Sequence, residues 1–292
     1  MELKNQKPEV YIEFASSKLF ITSQNKSSKF TLTNLYPILV RPHTTTIVSL
    51  GVKIVHSSKS YGFILYGHSK KAVSCHLGII DPDYTGELKL IICNKLLTNI
   101  TLFAGQLTIN LLAFFYFNPV LYEHRLLSAP QYANDVGYDF YLPVDMAIFP
   151  MSSTEIRVLD PPPISSKYFV PVVFGRSGLA TNGLFVTATK WTSKPLVIQF
   201  TNYSEETVCY KKGTRICQVV FILKCHIPSI LKVFKSVHHL TKHLVFSGAT
   251  VSFVEIKNGI SQPLVILPKI LRTQPNSGTV RGSQGFGSSG TH

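Results

Sequence analysis

Several short stretches carry residue types suited to handling phosphate and water. In Gly78-Ile79-Ile80-Asp81-Pro82-Asp83-Tyr84 a carboxylate follows an apolar run and precedes a proline. Held there, Asp81 can accept a proton from a water, and a positioned general base contributes ~10²–10⁴-fold. In Gly175-Arg176-Ser177-Gly178 a guanidinium can fork onto phosphate oxygens, a hydroxyl can donate, and a glycine lets a backbone N–H approach closely. Gln218 adds an amide donor, while Arg215 suits either a phosphate or a structural carboxylate. Asp135 and Asp139 flank Gly137. The C-terminus, 276–292, is rich in glycine and serine, so it should be mobile enough to wrap a phosphate chain. Its Arg281 supplies charge, Ser288 and Ser289 supply hydroxyls next to Gly287, and Phe286 is a lone ring that could stack on a base. An arm of this kind closes over a substrate and expels water. A Walker-type loop is the competing idea, but no Gly-Lys-Ser/Thr occurs.

The elements that must position these residues read as strands. Apolar stretches are short, rich in Val, Ile, Phe, Tyr and Thr, and punctuated by Pro, Gly and Asn, which is the all-β pattern of a sandwich or barrel. Helical periodicity is weak, with 229–244 the best candidate. The chain also repeats itself. Tyr66-Gly67-His68-Ser69 resembles Phe174-Gly175-Arg176-Ser177 at an offset of 108, and Arg41-Pro42 falls on Phe149-Pro150 at the same offset. Ala104-Gly105 falls on Lys212-Gly213, again at 108, and Gly78-Ile79-Ile80 pairs with Gly183-Leu184-Phe185 at 105. Two copies of one small β domain are therefore expected, 1–117 and 129–223, joined by a linker 118–128. An insertion of no assigned role, 224–275, and the arm 276–292 follow. The copies are unequal: Asp81-Pro82-Asp83-Tyr84 of the first faces Val186-Thr187-Ala188-Thr189 in the second, and Arg176, Arg215 and Gln218 of the second face His68, Leu107 and Asn110. Each copy keeps what the other lacks, as one composite site at a domain junction would require.

Composition narrows the classes. With 292 residues and 45% apolar types the chain can bury a full core, which excludes a disordered or collagen-like protein. An excess of 29 Lys and Arg over 15 Asp and Glu, a formal charge of +14, suggests an anionic partner. The basic residues appear singly or in pairs, as at Lys70-Lys71 and Lys211-Lys212, so stable nucleic-acid binding is not expected. No secretory signal is evident, and the longest greasy run, Leu107 to Phe117, is 11 residues, short of the ~20 of a spanning helix. Five cysteines without a C-x-x-C favour a reducing compartment. Zinc could be argued from Cys209, Cys217 and Cys225 with the histidines after them, but even spacing without close pairs favours idle or buried side chains.

Taken together, five segments resemble the five motifs of the dUTP pyrophosphatase (dUTPase) family. Asp135-Val136-Gly137-Tyr138-Asp139 is similar to the first, Gly175 to Ala180 to the second, Gly78 to Glu87 to the third, Gly213 to Val220 to the fourth, and Arg281 to Gly290 to the fifth. Ordinary members run these in order in a chain of about half this length, and three chains build three sites. Here the third motif comes first and the chain is doubled, which resembles the duplicated, monomeric dUTPases of herpesviruses, the gammaherpesvirus branch most closely. The resemblance implies hydrolysis of dUTP to dUMP and pyrophosphate, with Asp81 activating the water. It implies that backbone groups around Gly78 and Ile80 hold the uracil edge and that Tyr84 lies against the deoxyribose. Arg176, Ser177, Gly178, Gln218 and Arg281 would bind phosphates, Phe286 would stack on uracil, and Gly287, Ser288 and Ser289 would close the arm. Magnesium would bridge the triphosphate, supported through water by Asp135 and Asp139 jointly. A monomer inside an infected host cell, cytoplasmic or nuclear and not bound to a membrane, is implied, with host signalling proteins as additional partners. The alternatives are a host-interaction protein on the same scaffold and a dCTP-deaminase-like enzyme.

Overall fold

Apolar and polar residues alternate most cleanly in Leu196–Asn202, where every second side chain is buried, the period that a sheet with one buried face requires. The computed structural model describes residues 9–15, 20–26, 29–121, 124–130, 132, 134–227, 229–232, 242–245 and 248–256. Among these, helix is confined to the turn Ser177–Ala180 and the 3-10 turn Lys224–His226, so no described helix is long and apolar enough to cross a membrane.

The first β unit has two five-stranded sheets. One runs Ser252–Ile256, Glu9–Phe14, Thr45–His56, Glu87–Asn94, Val73–Cys75, and the other Phe20–Lys26, Lys29–Asn34, Leu107–Phe115, Tyr61–Ser69, Gly78–Ile80. Ile12, Phe30, Leu50, Phe63 and Ile109 fill the core they share. The second unit repeats this plan with the sheet Leu127–Ser128, Tyr138–Tyr141, Arg215–Leu223, Phe169–Gly175, Thr189–Lys190 and the sheet Ser153–Val158, Leu196–Asn202, Leu184–Val186. Its core is built on Trp191, Phe140, Ile198, Phe200 and Phe221.

The 108-residue offset extends to backbone detail. His43 and Met151 adopt φ of 53° and 51°, and Gly105 and Gly213 adopt 78° and 87°, left-handed values that tight turns need and that cost non-glycine residues strain. The Asn94 amide donates to the carbonyls of Val40 at 3.1 Å and Thr98 at 2.6 Å. Its counterpart Asn202 donates to those of Ile148 at 3.1 Å and Glu206 at 2.7 Å. Both partners are shifted by 108.

The two units meet through strands buried on both faces. In Leu107–Phe115 the side chains of Ile109, Leu111 and Ala113 enter the first core. Leu112 and Phe114 enter a third cluster with Ile64, Val136, Val172, Phe174, Val220 and Ile222. Most of the apolar run at 107–117 is thus the strand Leu107–Phe115, buried on both faces up to Phe114.

Three segments differ from expectation. In 229–244, the best helix candidate of a chain with weak helical periodicity, the described residues Ser229–Lys232 pair antiparallel with Lys242–Val245. Val, Ile, Phe and Thr recur through the segment, and such residues lose rotamer freedom in a helix and fit a sheet. Within 118–128, Leu126 already lies in the second core and Leu127–Ser128 pairs with Tyr138–Tyr141, so the second unit begins earlier than 129. In 224–275, Ala249, Val251 and Phe253 enter the first core, and Ser252–Ile256 pairs in parallel with Glu9–Phe14.

Candidate active site

Asp81 stands at the end of Gly78–Ile80, which pairs with Phe63, Ile64 and Leu65 of the adjacent strand. The carboxylate is 6% exposed, and its Oδ1 accepts the Val136 backbone N–H of the second unit at 2.8 Å. Val136 can come this close because residue 62 is glycine: a Cβ there would lie 2.9 Å from Val136 Cγ2 and 2.8 Å from Phe114 Cζ. The Tyr84 N–H donates to the Asp81 carbonyl at 3.2 Å and closes the turn. The Tyr84 hydroxyl donates to the Glu87 carbonyl at 3.1 Å, and its ring lies over Gly86, where a Cβ would meet the hydroxyl at 2.5 Å. Asn134 of the second unit donates to Asp83 Oδ2 at 3.3 Å.

Asp135 is buried and its carbonyl accepts from the Asn118 amide at 3.2 Å. Burial first, and then the charges of Asp81, Asp83 and Asp135, push the Tyr116 hydroxyl up to about 12. These three carboxylates, from both units, therefore share one acidic neighbourhood beside Tyr116.

The other half of the site belongs to the second unit. Asp139 and Gln218 are cross-strand partners. One oxygen of Asp139 accepts from Arg176 Nη1 and the other from Arg215 Nη1, the latter at 3.1 Å. The three side chains are only 10–13% exposed, so two guanidiniums are held around one carboxylate with little water between them. Gln218 donates to the Gly175 carbonyl at 3.1 Å, and its Oε1 lies 2.7 Å from where a Cβ on Gly137 would sit. Ser177 opens the turn Ser177–Ala180, whose Ala180 packs against Ile91 and Cys93 of the first unit. The Gly178 carbonyl in this turn accepts from the Thr181 hydroxyl at 2.7 Å.

The structure thus brings Asp81, Asp135, Arg176, Ser177 and Gln218 to the junction, with Gly78, Ile80 and Tyr84 on the hairpin beside it. Two expectations look different in place. Asp139, grouped with Asp135 for a metal, has both oxygens engaged by arginines, because the strand register sets it between them. Gln218, expected to donate to phosphate, spends a donor on Gly175. Arg215 takes the carboxylate pairing of its two alternatives. Arg281, Phe286, Gly287, Ser288 and Ser289 lie outside the described residues.

His76 was not singled out by sequence. It is 5% exposed, meets the edge of Phe185 with ring centroids 5.8 Å apart, and its Cε1 would lie 3.3 Å from a Cβ on Gly175. Burial lowers its pKa to about 4, so the ring is neutral near pH 7. A lone histidine in an apolar stretch gives no signal; its place two residues before Gly78 is the only pointer. Cys217 is buried in the second core, whereas Cys209 and Cys225 are exposed. Among the described residues no cluster of three or more His, Cys, Asp or Glu side chains is arranged to hold a metal directly.

The chain is a duplicated β protein in which a buried carboxylate of the first unit, Asp81, accepts a backbone N–H of the second, and in which two arginines of the second unit share Asp139. The family pattern described as dUTPase matches residues 15–114 and 124–250, one segment in each unit, and the chain belongs to the dUTPase family. It is 48% identical over 290 residues to the deoxyuridine 5'-triphosphate nucleotidohydrolase of equine herpesvirus 2 (strain 86/87), with 99% of each chain covered. Identity is 40% over 283 residues to the enzyme of the same name from Saimiriine herpesvirus 2 (strain 11), covering 97% of this chain and 98% of that one. It is 36% over 293 residues to that of human herpesvirus 8 type P (isolate GK18), covering 97% of each.

Proposed function

We propose that the chain hydrolyses dUTP to dUMP and pyrophosphate at a single site formed between its two units, keeping uracil out of DNA and supplying dUMP. The observation that carries this reading is the Asp81 carboxylate of the first unit accepting the Val136 N–H of the second at 2.8 Å. That hydrogen bond fixes the base. Asp81 takes a proton from a water whose oxygen attacks the α-phosphorus. The bond from the α-phosphorus to the bridging oxygen breaks, its electron pair leaves with pyrophosphate, and dUMP retains the new oxygen. The proton on Asp81 then returns to solvent. The guanidinium of Arg176 stabilises the charge that develops on the phosphates. Asp139 acts here as a positioning residue that holds both guanidiniums.

The family generally uses magnesium, which supplies charge neutralisation across the triphosphate when bound. The buried Asp135, in the acidic neighbourhood beside Tyr116, fits such an ion held through its waters. Asp139, with both oxygens on arginines, does not.

Specificity would come from the hairpin. A Cβ on Gly78 would find only His76 Cδ2 and the Leu65 carbonyl, both at 3.9 Å, so this side is open enough for a base to lie against the backbone of Gly78 and Ile80. Fixed backbone groups matched to uracil leave cytosine's amino group mismatched, and unpaired polar groups discriminate strongly. Tyr84, held by Glu87 and Gly86, would occupy the space of a 2′-hydroxyl. Ser177 and Gly178 would meet the phosphates, and the arm with Arg281, Phe286, Gly287, Ser288 and Ser289 would close over them. Pyrophosphate release assayed with dUTP, dCTP, dTTP and UTP tests the reading: dUTP alone should be turned over, and equal turnover of dTTP or UTP would remove the hairpin and Tyr84 from specificity.

A further inference from the structure

The internal repeat gives the first unit a counterpart of the arginine site. His68 and Ser69 stand 108 residues before Arg176 and Ser177, and Thr31 and Asn110 stand 108 before Asp139 and Gln218. The carboxylate is gone: the Thr31 hydroxyl donates to Asn110 Oδ1 at 3.1 Å, where the second unit has Asp139 beside Gln218. The chain path differs as well. In the second unit the strand stops at Gly175 and turns into Ser177–Ala180, which packs on the first unit. In the first unit the strand runs on to Ser69, and Lys70 and Lys71 are exposed in the turn after it. Thr31 and Asn110 are buried, and beside them His68 and Ser69 line a cavity of about 290 Å³ together with Lys70, Lys71, Gln106 and Thr108.

We propose that this cavity is a second anion site, distinct from the catalytic one, that takes a compact oligophosphate such as pyrophosphate. Two ammonium groups on adjacent residues repel each other, and among the described residues the lining carries no carboxylate to offset them, so a polyanion removes that repulsion. Ser69 Oγ accepts the Lys71 N–H at 3.1 Å, which leaves its hydroxyl proton to donate outward, and Gln106 offers an amide. Among the described residues the lining holds a single ring, the His68 imidazole, and no large aliphatic side chain, so groups that meet phosphate outnumber those that could stack on a base. The ligand is therefore the phosphate chain rather than a nucleotide. This inference rests on the repeat and the cavity and is independent of the catalytic assignment.

The test is calorimetric titration of pyrophosphate into the full chain saturated with a non-hydrolysable dUTP analogue, which blocks the catalytic site. One pyrophosphate per chain should bind, Lys70→Ser/Lys71→Ser should weaken it about tenfold or more while dUTP turnover stays unchanged, and orthophosphate should bind at least about tenfold more weakly. No uptake by the saturated protein, or uptake equal in the double variant, would overturn the site. Equal affinity for orthophosphate would overturn the oligophosphate assignment.

Discussion

Gly62→Ala probes how the two units make one site. The new Cβ would lie 2.9 Å from Val136 Cγ2 and 2.8 Å from Phe114 Cζ, against an optimal carbon separation of ~3.5 Å or more. Phe114 and Val136 are fully buried, so neither can swing away. Overpacking of this kind typically costs about 1–3 kcal/mol of stability. The catalytic consequence should exceed the structural one. Moving Val136 by the missing ~0.6 Å carries its N–H off Asp81 and stretches a 2.8 Å hydrogen bond past the ordinary ~3.2 Å limit. Since misplacement of ~1 Å in a site can cost ~10²-fold, kcat/KM for dUTP should fall roughly 10–100-fold, or about 1.4–2.7 kcal/mol of transition-state stabilisation. Val136→Ala deletes the methyl that clashes, so the Gly62→Ala/Val136→Ala double variant should recover part of the loss. Its coupling energy should be about 1 kcal/mol or more in pyrophosphate-release kinetics. Wild-type kcat/KM in Gly62→Ala, or strictly additive losses in the double variant, would refute the claim that Val136 positions Asp81.

Three further outcomes are expected. Asp139→Asn leaves two largely buried guanidiniums without their shared carboxylate, so urea unfolding should show a loss of about 3 kcal/mol, and an unchanged midpoint would deny the ion pairs their role. His76 is neutral when folded down to about pH 4 but protonates near pH 6.5 when unfolded. The unfolded chain therefore binds the extra proton between those values, and stability falls as pH drops through that window, by up to about 3 kcal/mol. His76→Leu should flatten that fall between pH 7 and 4.5, and an undiminished fall would place its origin elsewhere. Ending the chain at Val280 should collapse dUTP turnover while leaving the unfolding midpoint unchanged, and normal turnover would remove the arm from the site.

Much of this was legible because the repeat leaves paired turn signals. Glycines at 105 and 213 mark the same left-handed turn in each copy, and each copy's missing residues pointed to a junction site. Legibility ended where contacts depend on strand register. Nothing local says that Asp139 lies across from Gln218, between two arginines, because those partners come from strands far apart in sequence. The parallel pairing of Ser252–Ile256 with Glu9–Phe14 spans most of the chain, and parallel ladders have no hairpin turn to announce them. At Ser229–Lys232 and Lys242–Val245 a weak helical spacing gave way to strand pairing. His76 was invisible because its role comes from packing against Gly175 and Phe185, which no motif encodes.

The most direct test of the central claim, one complete site within one chain, is complementation. Asp81→Asn removes the base proposed for the first unit, and Arg176→Ala the phosphate fork proposed for the second. Co-expressed and purified together, the two variants should release no more pyrophosphate from dUTP than the sum of each alone, because every chain lacks a part that no other chain supplies. Turnover recovered well above that sum would show that sites form between chains and would contradict the composite site proposed here.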